Sequence, residues 1–116
     1  MTTEQQNANG ELQPVVRATR FEVNCVPETD TGAWHFAVTV VYCRGGRWVV
    51  RDRDDRCYDF DGVVSWDYGS DAPDEWLARY RFTDVEQALE VAKRVAPTIT
   101  VNGVTVAEAL ANPELE

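Results

Sequence analysis

The chain has 116 residues, 44% hydrophobic and 27% charged, a balance that fits one globular domain able to bury roughly 65% of its unfolded surface and excludes wholesale disorder. Twenty acids against eleven bases give a formal charge of −9, which disfavours nonspecific binding to nucleic acid or to an anionic membrane surface. No apolar run approaches the length of a membrane span, and three cysteines with no secretory signal point to a reducing cytoplasm.

Ten of the eleven bases are arginine, a skew read here as GC-rich coding. Residues 1–13, "MTTEQQNANGELQ", are polar and aperiodic and predict a disordered tail. Residues 14–112 predict a single domain, and residues 113–116 a frayed end.

In "RFEVNC" the residues Phe21, Val23 and Cys25 alternate with Arg20, Glu22 and Asn24, the pattern of a half-buried strand. "PETDTG" has turn chemistry. "WHFAVTVVYC" places Trp34, Phe36, Val38, Val40 and Tyr42 on one strand face, and His35, Ala37, Thr39, Val41 and Cys43 on a weakly polar other face. "RGGRWVVRD" supplies a hairpin and a third strand. A three-residue loop, Arg44 to Gly46, would pair Tyr42 with Trp48 and Val40 with Val50, whereas a two-residue Gly-Gly turn would bring Val41 and Cys43 to the Trp48 face. Apolar matching favours the longer loop. Asp61-Gly62 is a short hairpin signal, and Val64, Trp66 and Tyr68 alternate after it as a fourth strand.

The period then changes. "SDAPDEWLARYRF" opens with Ser70 or Asp71 as a cap, a proline and acids in the first turn, and places Trp76, Leu77 and Tyr80 on one side of a short helix. Thr83 and Glu86 have capping-box spacing, followed by a stripe of Val85, Ala88, Leu89, Ala92 and Val95 that ends at Pro97. "TITV" suits a short strand, and Thr105 with Glu108 repeats the box before a last helix. Strands followed by helices predict an α+β fold: an antiparallel sheet of about four strands over residues 15–68, with two to three short helices over residues 72–111 on one face.

The chemistry-bearing stretch is "DRDDRCYDFDG", five aspartates in eleven positions. A calcium loop needs glycine sixth and glutamate twelfth. Counted from Asp52 those places hold Cys57 and Val63, and from Asp54 they hold Asp59 and Ser65. Arg51, Arg53 and Arg56 interleave with the acids, so the stretch reads as a solvated, salt-bridged turn. Cys25, His35, Cys43 and Cys57 lie ten, eight and fourteen residues apart, unlike the close pairs of structural zinc sites. The three cysteines read as small buried hydrophobes, and no metal or cofactor is expected. No acid sits within an apolar run where burial would tune it for proton transfer, and neither a phosphate loop nor a serine elbow is present. No catalytic residue is therefore assigned, and an enzyme is not the favoured reading.

From Asp52 to Glu75 nine acids face only two arginines, and most of the aromatic residues lie in or near that half. This predicts a small acidic, non-catalytic protein-binding domain, accessory or inhibitory in kind, of the type that mobile elements and phages carry by analogy. The residues expected to meet the partner are Asp52, Asp54, Asp55, Asp59 and Asp61 in the turn, Trp66, Asp67 and Tyr68 in the following strand, and Asp71, Asp74 and Glu75 ahead of the first helix. The partner would be a protein with a basic or mixed surface, with no direct nucleic acid and no membrane. A homodimer through Ala37, Thr39 and Val41 is compatible with this. The alternative is an enzyme or small-ligand binder with a tryptophan-lined pocket between sheet and helices.

Overall fold

The tight hairpin at the centre of the sheet has the register that apolar matching predicts. In a computed structural model of the chain, which describes residues 12–27 and 32–111, strand β2 (Val38–Cys43) pairs with β3 (Arg47–Arg51) so that Tyr42 faces Trp48 and Val40 faces Val50. The loop is the three-residue Arg44–Gly46. Its glycines at φ 77° and 74° hold left-handed conformations that a side chain would strain. Tyr42 and Trp48 meet edge to face at 5.4 Å, and Phe21 of β1 (Arg20–Val23) lies 5.8 Å from Trp48 across β2.

Strands β4 (Arg56–Tyr58) and β5 (Val64–Trp66) complete a five-stranded antiparallel sheet in chain order, β1-β2-β3-β4-β5. The class is the α+β expected, and the additional strand is β4, inside the aspartate run. Because β3 pairs with β4 only at Arg51 and Cys57, the other end of that edge is free. Phe82 fills it, exchanging two backbone hydrogen bonds with Trp48 at 2.7 and 2.8 Å.

Helix α2 (Val85–Val95) covers one face with Ala88, Val91, Ala92 and Val95, against Phe36, Val38, Val40, Val50 and Phe82. Burial of each valine contributes about 1.5 kcal/mol, and this layer holds the larger of the two core clusters. Its cap is Asp84 rather than Thr83, the carboxylate accepting the Glu86 amide at 2.9 Å. A two-stranded hairpin of β6 (Thr100–Val101) and β7 (Val104–Thr105) leads into α3 (Val106–Ala111). There Thr105 and Glu108 cap each other reciprocally at 2.9 and 3.1 Å.

Not all helices share that face. Val49 and Val50 are neighbours in one strand and so point to opposite sides. Val49 packs with Cys57 and with Tyr80 and Trp76 of α1 (Asp74–Tyr80), a second small core on the reverse side of the sheet. The half-apolar pattern of Val41 and Cys43 belongs to this cluster. α1 starts at a proline cap, with no side-chain hydrogen bond from Ser70 or Asp71.

Two further expectations change. The strand predicted from Trp34 begins only at Val38, because Ala33–Phe36 forms a 3-10 turn. With three residues per turn, Ala33 and Phe36 fall on the same side and enter the core while Trp34 swings out to 55% exposure. Cys25, expected in the core, is exposed. β1 ends at Val23, and Asn24 then makes a turn, accepting the Val26 amide at 2.9 Å and donating to the Ala33 carbonyl at 2.7 Å, so that Val26 is buried instead. The predicted end at residues 113–116 and nearly all of the predicted tail lie outside the described residues.

Candidate functional site

The aspartate run folds as two hairpin loops on either side of β4, and its acids divide into two groups. Asp52 and Asp59 are buried at 7% and 4% exposure. Each shapes its loop as an Asx turn, the carboxylate mimicking a backbone acceptor. Asp52 Oδ1 accepts the amides of Asp54 and Arg56 at 2.9 and 3.0 Å. Its Oδ2 accepts Arg56 Nε at 3.1 Å and the Tyr58 hydroxyl at 2.8 Å. Burial, then the hydrogen bond to Asp52, raises the pKa of Tyr58. Asp59 Oδ1 accepts the amides of Asp61 and Val63 at 2.9 and 2.8 Å, and its Oδ2 takes Arg79 of α1 at 2.7 Å. Burial alone would raise the pKa of Asp59, but the hydrogen bonds from Arg79, Val63 and Asp61 outweigh it and hold the carboxyl below its ordinary value.

Asp67 is also drawn in. Its Oδ2 accepts Arg51 Nη2 and its Oδ1 accepts Arg81 Nη2, both at 2.8 Å, and the Gly69 amide adds a third bond at 2.9 Å. Burial works against ionisation, but Arg81, Gly69 and Arg51 together lower the pKa. These three carboxylates correct the expectation that every acid of the segment stays in water. They are enclosed because each receives three or four donors, which replace the lost hydration, and so they are not free to meet a partner.

The other predicted contact residues stay outside. Asp54, Asp55, Asp61, Asp71, Asp74 and Glu75 are exposed, as are Trp66 at 61% and Tyr68 at 63%. Of these acids only Asp54 has an ion-pair partner among the described residues, at 3.6 Å from Arg56 and 4.0 Å from Arg53. The structure adds Phe60, Val63 and Val64, each exposed by more than two fifths. Phe60 still leans on Phe82, ring centroids 4.8 Å apart. All five apolar residues belong to β5 or its flanks, and β5 is the end strand of the sheet, its outer edge unpaired among the described residues. The sequence signal for Val64 was its alternation with Trp66; nothing local marked Phe60 and Val63 as exposed.

The space between sheet and α2 is filled by Phe36, Val38, Val40, Val50, Phe82 and Val91, none more than 1% exposed. The tryptophans lie around it: Trp34 and Trp66 exposed, Trp48 and Trp76 half-buried. That leaves a tryptophan-lined pocket between the layers no room. On the reverse face, Ala37, Thr39 and Val41 border a groove of about 330 Å³ with a charged rim that includes Arg20, Glu22, Arg53 and Asp55. Arg53 stacks on Trp34 there at 4.2 Å. His35 lies against Trp34 at 3.9 Å between ring centroids. Among the described residues no three histidine, cysteine or carboxylate side chains converge, and no helix is long and apolar enough to cross a membrane.

No family model matches the chain, and neither the curated proteins nor the solved structures contain a match to it.

Proposed function

We propose that this is a non-catalytic protein-binding domain whose docking element is the free edge of β5, and that its partner offers an extended basic segment. The observation that carries this is the coincidence of three features at β5 and its flanks: an edge unpaired among the described residues, exposed Val64 and Trp66 in the strand with exposed Tyr68 just after it, and the exposed acids Asp61, Asp71, Asp74 and Glu75 before and after it in sequence. Exposed edges are normally defended by shortness, lysine, proline or bulges against joining another strand; this one is only three residues long and carries valine and tryptophan with no lysine or proline, so an incoming strand would pair over a short stretch. An added strand gains main-chain hydrogen bonds along the edge and apolar contact with the side chains. The exposed acids that precede and follow the strand in sequence favour lysine and arginine on the incoming segment and raise its rate of encounter.

The test is a titration of the labelled domain with short extended peptides that alternate valine or isoleucine with lysine or arginine. Saturable shifts at the β5 amides, lost in W66S and weakened by raised salt, support the reading. Peptides that bind W66S as well as wild type, or that bind nowhere near β5, overturn it. Light scattering on the same samples covers the remaining occupant: a dimer that W66S dissociates makes a second copy of the chain the partner.

A further inference from the structure

In a chain of net charge −9 with ten arginines, four of the ten line a single pocket. Arg44 and Arg47 at the β2–β3 hairpin, Arg51 at the end of β3 and Arg81 after α1 surround a surface cavity of about 300 Å³ in which Asp67 is the one acid. Asp67 already bridges Arg51 and Arg81 with its two oxygens, so one negative charge is set against four positive ones. Arg44 and Arg47 form no ion pair among the described residues. Arg51 Nε is buried with no acceptor among the described residues. Arg81 is locked in place: 6% exposed at its side chain, bonded to the Tyr80 carbonyl at 3.2 Å, and stacked over Trp76 at 5.1 Å.

Guanidinium groups repel one another, and collecting four of them on one wall costs free energy unless an anion joins them. Asp67 carries one charge against the two of buried Arg81 and part-exposed Arg51 and forms no ion pair with the hairpin pair. We propose that the pocket binds the phosphate group of a small phosphorylated molecule. A second carboxylate would satisfy one further fork and leave the rest unmatched. A phosphate monoester offers a double charge and three terminal oxygens in different directions, which suits forks arriving from β3, from the hairpin and from the segment after α1. Ser70 on the same wall adds a neutral hydroxyl donor. The overall negative charge of the protein does not prevent this, because at physiological salt charges beyond about 8 Å are largely screened and the local arginines dominate. Guanidinium held rigidly beforehand, as in Arg81, loses little freedom on binding.

The proposal does not rest on the β5 reading, although Asp67, Gly69 and Ser70 directly follow that strand, and it is tested separately. The labelled protein is titrated at constant ionic strength, made up with sodium chloride, with inorganic phosphate, adenosine monophosphate and glucose 6-phosphate. The expected result is saturable shifts at the amides of residues 43–47 and 69–81 with at least one of the three. The exposed pair R44Q/R47Q should weaken that binding by about tenfold or more without lowering the melting temperature. Tighter binding of one ester than of inorganic phosphate shows that the pocket reads the organic part as well; equal binding shows that the phosphate alone is recognised. No saturable shift with any of the three, or unchanged affinity in R44Q/R47Q, overturns the assignment.

Discussion

Asp52 and Asp59 hold the same position in two consecutive hairpin loops. In each, the aspartate carboxylate accepts the amides two and four residues on, its own amide bonds to the carbonyl four residues on, and its carbonyl accepts the amide three residues on. The residue at that third step has a left-handed backbone in both, Asp55 at φ 62° and Gly62 at φ 78°. "DRDDR" and "DFDGV" are thus one loop used twice, with β4 between them. The apparent excess of aspartate is partly a requirement of this turn, whose first residue must cap its own loop.

The two organising acids and their exposed neighbours should therefore differ sharply on substitution. D52A strips acceptors from two amides, a guanidinium and a buried tyrosine hydroxyl, and is expected to cost about 2–4 kcal/mol. D59A, which strands two amides, should cost about 2–3 kcal/mol. D54A and D61A should change stability by no more than about 0.5 kcal/mol. Urea denaturation of the four variants checks this ordering, and equal losses in D52A and D54A would sink it.

The equivalence of Asp55 and Gly62 gives a prediction of opposite sign. D55G relieves a left-handed side-chain conformation and should stabilise by about 0.5–1 kcal/mol. G62A should destabilise by about 1 kcal/mol through backbone strain alone, since an added Cβ there would have no atom within 4 Å. The shift in the urea midpoint at unchanged slope is the readout.

What could be read in the sequence was what local pairs decide. The β2–β3 register follows from matching Tyr42 to Trp48 and Val40 to Val50, and the Thr105–Glu108 box from its own spacing. Helix α2 followed from its stripe, although Val91, 1% exposed, lies outside the stripe and is buried in the same core cluster. Strand β4 was invisible because Arg56-Cys57-Tyr58 is three residues long and is held by two aspartates that look soluble in sequence. The enclosure of Asp67 depends on Arg51 and Arg81, sixteen and fourteen positions away. The exposed edge at Trp66 and Tyr68 was marked by the crowding of aromatics and acids, but its being an edge is a property of strand order, which no short window contains.

The three thiols should separate cleanly on labelling. Cys25 is exposed, Cys43 half-buried and Cys57 buried. Burial above all, then the charge of Asp67, pushes the Cys57 pKa from 9.0 to about 11, so both access and thiolate fraction protect it. With a thiol-specific reagent at pH 8, Cys25 should react first and Cys57 only at the rate of unfolding. Because Cys57 ionises less readily in the folded chain, the stability it contributes is complete below pH 9.0 and is lost as pH rises towards about 11. C57A should lose less stability than wild type between those limits.

In acid the sign reverses, and Asp59 and Asp67 are the groups responsible. Both have pKa values held below the ordinary carboxylate range in the fold, so the unfolded chain takes up protons first as pH falls. Their contribution is complete at neutral pH, begins to fade as pH drops towards the unfolded value of about 3.9, and is gone below the folded values. The melting temperature should hold from pH 7 to about 5 and fall steeply below about 4. Removing the Asp67 charge leaves Arg81, only 6% exposed at its side chain, with no counter-charge, so D67N should cost about 3 kcal/mol at pH 7. The same variant should show a shallower acid limb, because the group that took up the proton is absent. D59N should flatten that limb as well, with a smaller loss at pH 7 because Arg79 stays largely in water. A melting series from pH 7 to 2.5 on wild type and both variants decides the matter: parallel acid limbs would mean that other carboxylates govern the acid transition.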